Sequence, residues 1–127
     1  MARRARVQPR PSLPRNRAAS SSAVFVDAPC SGSGTWRRTP EAKWALTPAR
    51  LAELQRMQKT ALEDAARFVR PGGRLVYATC SIFQSENIEQ IEWFIQGNSS
   101  FDVAHIQVWP VDKWGDGFFS AHLTQRA

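Results

Sequence analysis

Two cysteines, fifty residues apart, are the side chains best equipped for covalent chemistry in this chain. Cys30 lies in Val24-Phe25-Val26-Asp27-Ala28-Pro29-Cys30-Ser31-Gly32-Ser33-Gly34, and Cys80 in Gly73-Arg74-Leu75-Val76-Tyr77-Ala78-Thr79-Cys80-Ser81. Each stands where an apolar run breaks into small polar residues. A thiol at a strand end, beside backbone N–H groups and a helix start, gains thiolate character and becomes a nucleophile. Cys80 has that setting, because Ser81–Gln84 lead into a helix expected from Ser85. A lone cysteine is more often inert and buried, but two at equivalent strand ends, one three residues after Asp27, favour chemistry. Neither belongs to a Cys-x-x-Cys pair and the two histidines lack ligand spacing, so no metal site is expected.

The elements that hold these thiols follow from periodicity. Ala23–Asp27 reads as a short buried strand and Arg74–Thr79 as a second. Between them Thr47 caps a helix whose first position is Pro48. Leu51, Leu54, Ala61, Leu62, Ala65, Phe68 and Val69 recur at helical spacing, and Pro71-Gly72-Gly73 is expected to end the helix in a turn. Residues 28–47 form a long loop. Ile88, Ile91 and Ile95 mark a second helix, with Glu86 and Glu89 placed to complement its macrodipole and Gly97-Asn98 to stop it. Phe101–Val108 and Phe118–Leu123 are further strands, expected to run antiparallel to each other. The strand–helix–strand unit crosses over right-handedly. Its strands are parallel and, if adjacent, about 4.8 Å apart, so both cysteines face one crevice at the carboxyl edge of the sheet.

The 127-residue chain suits one domain. Its net charge of +6 suggests a polyanionic partner until the cations are located. Arg3, Arg4, Arg6, Arg10, Arg15 and Arg17 precede residue 23 with no acid among them; removing these six from 17 basic residues leaves 11, matched by 11 acids. Residues 1–22, rich in Arg, Pro, Ser and Ala, read as a disordered basic tail or as a segment not native to the domain, which occupies 23–127. Pro9, Pro11 and Pro14 argue against an amphipathic organelle presequence. No run is long and apolar enough to span a bilayer, and two spaced cysteines without a secretory segment fit a reducing, cytoplasmic setting.

Gly32-Ser33-Gly34 lacks the third glycine of a dinucleotide fingerprint and opens into no helix. Taken with its neighbours it is more specific. Asp27-Ala28-Pro29-Cys30-Ser31-Gly32-Ser33-Gly34 followed by Ala78-Thr79-Cys80-Ser81 resembles the S-adenosylmethionine-dependent RNA cytosine-5 methyltransferases of the Sun type. The resemblance runs on through Arg37-Arg38, Lys43-Trp44, Leu54-Gln55, Pro71-Gly72-Gly73 and Glu86-Asn87 to Asp116-Gly117-Phe118-Phe119, covering about residues 24–124.

The resemblance implies an α/β fold: part of a Rossmann-like class I methyltransferase sheet, from its fourth strand onward, with flanking helices. It implies that Cys80 is the nucleophile that adds to C6 of a cytosine, that Cys30 assists release of the methylated product, and that Asp27 lies between cofactor and base. Pro29 would shape the pocket beside the base. The target base must leave its stack to reach such thiols. Arg37, Arg38 and Lys43, interleaved with Trp36 and Trp44, could hold phosphates and stack on bases, or could be solvated cations among packing rings. Trp93, Trp109, Trp114, His105 and His122 read as structural.

The implied partners are RNA, ribosomal RNA above all, and S-adenosylmethionine. In the family the cofactor is held chiefly by a Gly-rich loop and acids on earlier strands, and no Gly-rich loop precedes Val24. The chain is therefore expected to be the carboxy-terminal part of a catalytic domain, lacking most cofactor contacts and inactive as given. Its strand at 24–27 should present an unpaired edge open to self-association. Two rivals remain: a non-catalytic half-domain that pairs with another chain, and a DNA cytosine-5 methyltransferase. The second is disfavoured because those enzymes use a single Pro-Cys nucleophile.

Overall fold

The structure, a computed structural model, describes residues 3–4 and 20–127. Its strands are β1 (Arg3–Arg4), β2 (Ser21–Asp27), β3 (Val69–Thr79), β4 (Phe101–Trp109) and β5 (Phe118–Gln125). Its helices are α1 (Pro40–Ala45), α2 (Pro48–Ala66) and α3 (Ile88–Gly97), with single 3₁₀ turns at Ser33–Thr35 and Gln84–Glu86. The sheet order is β1-β2-β3-β5-β4. β1, β2 and β3 run parallel; β5 is antiparallel to both β3 and β4. This is the expected mixed α/β sheet with β2 and β3 adjacent.

Register explains which face is buried. Val24 pairs with Leu75 and Val26 with Tyr77, while Leu75 and Tyr77 pair with Leu123 and Ala121. Side chains alternate along a strand, so these six share a face. They form the core with Ala61, Leu62 and Ala65 of α2 and Ile91 and Phe94 of α3. Helices therefore cover one side of the sheet. On the other side Phe25, Val76 and Ala78 are half-buried.

α2 begins as expected: Thr47 Oγ1 accepts from Arg50 N at 3.1 Å and Pro48 fills the first turn. It ends at Ala66 rather than Val69. The reason lies in the neighbouring strand, where Ser21 N donates to Phe68 O at 2.9 Å and draws Phe68–Val69 out of the helix. Pro71-Gly72-Gly73 consequently does not stop the helix. It forms an irregularity within β3: Ser21 pairs with Val69 and Ala23 with Arg74, and the residues between loop out, with Gly72 at φ +79°. At Gly73 a Cβ would stand 2.8 Å from Arg70 O.

Four other expectations need correction. β2 starts at Ser21, two residues inside the segment read as tail, and Arg3–Arg4 pairs with Val24 and Phe25 on the edge expected to be unpaired. The rest of the tail lies outside the described residues. α3 starts at Ile88, after a break at Asn87 (φ −116°, ψ −103°), so Glu86 precedes the helix rather than capping its dipole. Residues 28–47 are not all loop, since α1 and a 3₁₀ turn lie there.

A candidate thiol site at the carboxyl edge of the sheet

β2 and β3 stay paired to their ends, where Ala28 N donates to Ala78 O at 3.0 Å. The two thiols follow immediately. Cys30 Sγ and Cys80 Sγ lie 3.4 Å apart as free, half-buried thiols. At that distance one thiol can donate its S–H to the other. Cys80, the less buried of the two, is brought down from 9.0 to about 7, chiefly because Cys30 donates its S–H to it. Burial and the negative charges of Asp27 and Glu86 oppose that shift. Cys30 is driven well above the usual thiol range by the same pairing and by its own burial. The pair therefore favours the proton on Cys30 and the negative charge on Cys80.

Further contacts weld the two loops together. Gly34 N donates to Cys80 O (2.8 Å) and Gly117 N to Gly34 O (2.9 Å). A Cβ at Gly34 would fall 2.2 Å from Gly117 O and 2.7 Å from Cys80 O, so only glycine fits. The close neighbours of Gly34 are thus the protein's own carbonyls, those of Gly117 and Cys80. Ser33 Oγ lies 3.1 Å from Ser81 Oγ and accepts from Ile82 N at 2.9 Å.

Beneath both loops sits Glu86, fully buried. Its Oε1 accepts from Ser31 Oγ (2.6 Å) and Ser81 Oγ (2.5 Å); its Oε2 accepts from Ser31 N (2.8 Å) and Gln58 Nε2 (2.9 Å). Asn87 grips the same loop: its Oδ1 accepts from Thr79 Oγ1 at 2.6 Å and its Nδ2 donates to Ser81 O at 2.8 Å. Tyr77 OH donates to Glu86 O at 2.7 Å, and burial raises the phenol above its ordinary range. Sequence reasoning named Glu86 only as a helix-dipole residue and did not single out Gln58. The available signal was Gln58 itself, a polar residue set between Leu54 and Leu62 in the apolar stripe of α2.

The remaining expected site residues divide. Asp27 is exposed at the end of β2, close enough for its charge to act on Cys80. Pro29 precedes Cys30, and its carbonyl accepts from Gln58 Nε2 at 2.9 Å. Arg37 and Arg38 are exposed, but both ion-pair with Asp116, at 3.2 and 2.7 Å. Lys43 is exposed on α1 with its ammonium 5.8 Å from the Trp44 ring centre. The two tryptophans differ. Trp36 packs edge-on against Phe83 and donates to Ser31 O at 3.3 Å, whereas Trp44 is 83% exposed. His105 and His122 stack edge-on at 6.0 Å across β4 and β5, away from the thiols in sequence register. Among the described residues no cluster of three or more His, Cys, Asp or Glu could hold a metal ion, and no helix is long and apolar enough to cross a membrane.

With this geometry in place, the matches to known proteins become informative. The model of the 16S rRNA methyltransferase RsmB/F family matches residues 15–124. The chain belongs to that family. The match starts eight residues before the expected domain boundary at 23, within the segment read as tail. Among curated RsmB/F relatives, ribosomal RNA small subunit methyltransferase B of Photorhabdus laumondii is 38% identical over 111 residues, covering 81% of this chain. The chain spans only 26% of that relative's length. Among solved structures, PH0851 superposes with a TM-score of 0.79 at 37% identity, over 84% of this chain and 27% of that one. A methyltransferase homologue from Pyrococcus horikoshii superposes with a TM-score of 0.66 at 26% identity, over 80% of this chain and 38% of that one. The sheet is thus of the methyltransferase type that the RsmB/F match implies.

Proposed function

We propose that this chain carries the nucleophile-bearing part of a ribosomal RNA cytosine-5 methyltransferase. The observation behind the reading is the thiol pair: two free sulfurs 3.4 Å apart, just beyond the paired ends of β2 and β3. The C5 of cytosine is a poor nucleophile until a soft thiolate adds across the ring. Cys80 Sγ bonds to C6, the C5=C6 π pair shifts toward C5, and N3 takes a proton from solvent beside the Asp27 carboxylate, which accepts the new N3–H as a hydrogen bond. S-adenosylmethionine supplies the methyl group when bound. Asp27 suits that donor on chemistry, since an exposed carboxylate at the end of β2 complements its cationic sulfonium and ammonium centres.

Release uses the second thiol. The interaction that chiefly raises the Cys30 thiol is its bond to Cys80. Once Cys80 is a neutral thioether that interaction is gone, and Cys30 can lose its proton to solvent. Its thiolate then takes the C5 proton, the C5=C6 bond re-forms, the S–C6 bond breaks and Cys80 departs as thiolate. N3 returns its proton to solvent beside Asp27. The exposed Trp44 and Lys43 offer a stacking and phosphate-holding surface for the flipped strand. Arg37 and Arg38 would join it only by leaving Asp116.

Addition to C6 also labilises the C5 hydrogen, which gives a test that needs no methyl donor. The full chain, in excess over 16S rRNA carrying 5-tritiated cytidine, should release tritium to water, and Cys80→Ala should not. No release by the wild-type chain, or equal release by Cys80→Ala, would overturn the proposal.

A further inference from the structure

A buried carboxylate with no cation among its four hydrogen-bond partners needs a reason to be there, because burying a charge without compensation costs several kcal/mol. Glu86 is compensated entirely by neutral donors: Ser31 N, Ser31 Oγ, Ser81 Oγ and Gln58 Nε2. Ser31 is the residue after Cys30, and Ser81 is the residue after Cys80. A single carboxylate thus holds equivalent positions on both thiol loops, from below and with one oxygen shared between the two serines.

The support extends backward. Gln58 Nε2 donates to Pro29 O as well as to Glu86, and its Oε1 accepts from Gln90 Nε2 at 2.9 Å. Lys59 Nζ donates to Gln90 Oε1 at 2.7 Å and lies 5.2 Å from the Trp93 ring centre. The line from α2 and α3 to the thiols is continuous and every member is bonded. Such fully satisfied polar networks fix geometry in a way that apolar packing does not.

Resting on the reading of Cys80 as nucleophile, we infer that Glu86 is the positioning residue for both thiols: it bridges the Cys30 loop to the Cys80 loop and so sets their sulfur–sulfur contact. Glu86 touches neither sulfur. It acts through Ser31 and Ser81.

Its charge and its bridging act on Cys80 with opposite signs, which makes the inference testable. The negative charge of Glu86 raises the Cys80 thiol, as does that of Asp27, whereas the Cys30 contact that Glu86 maintains lowers it. The other titratable group beside the pair, Tyr77, stays neutral through the neutral range. The measurement is the pH profile of Cys80 alkylation by iodoacetamide, mapped by peptide mass, on the full chain without RNA.

Glu86→Gln removes the charge but keeps a bridge, because its amide oxygen can accept from Ser31 N and Gln58 while its amide nitrogen donates to the two hydroxyls. Its midpoint should fall to or below about 7. Glu86→Ala removes both. Its midpoint should rise, with Cys80 reactivity at pH 7 reduced by up to about sixfold, the loss expected if the thiol regains its ordinary pKa. If Glu86→Ala does not fold, Ser31→Ala keeps the charge and removes the hydroxyl bond of the Cys30 arm while leaving its backbone N–H bond, and should raise the midpoint in the same direction by a smaller amount.

A midpoint in Glu86→Ala that falls with that of Glu86→Gln would reduce Glu86 to a local charge and overturn the inference. So would an unchanged midpoint accompanied only by a lower melting temperature, or, where Ser31→Ala is the variant used, a midpoint there that fails to rise. None of these outcomes depends on RNA, so the tritium assay can fail while this inference stands, and the reverse.

Discussion

Replacing Cys30 by alanine isolates the interaction that gives Cys80 its reactivity. With a pKa of about 7, half of Cys80 is thiolate at pH 7. Without the Cys30 S–H, burial and the charges of Asp27 and Glu86 still push upward, so the thiol returns to its ordinary 9.0 or above. The thiolate share at pH 7 then falls to about 1%, roughly a fiftyfold loss. A more basic thiolate is intrinsically more nucleophilic, with a Brønsted slope of about 0.45, and two pKa units return roughly eightfold. Alkylation of Cys80 in Cys30→Ala should therefore be about sixfold slower than wild type at pH 7, equal near about pH 8.1, and about eightfold faster above about pH 10. The sign reverses because the higher pKa leaves less thiolate at neutral pH but makes each thiolate more nucleophilic once ionisation is complete. Cys30→Ser, which keeps a donor hydroxyl, should lie between. Iodoacetamide kinetics from pH 5.5 to 10.5, with peptide mapping to Cys80, measure all three curves. A Cys30→Ala midpoint that stays near 7 refutes the assignment of Cys30 as the donor that stabilises the Cys80 thiolate.

Other substitutions probe the frame around the pair. Gly34→Ala forces a methyl group against two backbone carbonyls and should cost about 3 kcal/mol, read from the shift of the urea midpoint; a loss under about 1 kcal/mol would mean that the three loops are looser than they look. Tyr77→Phe removes the buried donor to Glu86 O and should cost about 1–2 kcal/mol with little change in Cys80 reactivity. Asp116→Ala cuts two ion pairs made by exposed arginines and should change stability by less than about 1 kcal/mol. If Arg37 and Arg38 then reach RNA, the salt dependence of binding should steepen, and an unchanged slope would confine them to a structural role. Among the described residues β1 pairs with the β2 edge at Val24 and Phe25 alone, and sedimentation velocity should show concentration-dependent self-association through that edge; a single monomeric species over two decades of concentration would count against it.

What could be read from the sequence was what local pattern controls. Two apolar runs ending in small polar residues located β2 and β3, and a Thr-Pro cap located the start of α2. The thiols follow from those strand ends, so their meeting was legible too. What escaped was set by contacts between distant segments. The end of α2 is decided by Ser21, whose amide takes the Phe68 carbonyl, and that choice turns Pro71-Gly72-Gly73 from a helix stop into a bulge. Arg37 and Arg38 looked like phosphate ligands because Asp116, their partner, is nearly eighty residues away. Glu86 looked like an acid placed to complement a helix dipole, and only tertiary structure shows four donors closing over it. Gln58 was the exception. A glutamine in an apolar stripe is a misplaced polar group, and the price of burying it should have prompted a search for its partners.

The glycine junction also bears on how the molecule is made. Cys30 and Cys80 leave the ribosome well before Gly117, and β2 with β3 can form a parallel pair around α2 without it. The Gly34 carbonyl, however, finds its donor only when Gly117 arrives with β5. Until then the loop between Cys30 and Gly34 lacks one anchor, and the Glu86 bridge and the Gly34 N–H bond to Cys80 O hold the two thiol loops by themselves. Long-range antiparallel pairing is a slow, late event in folding. A nascent chain therefore passes through a stage in which the thiol loops are joined with one anchor fewer, and the junction is completed as β5 joins the sheet.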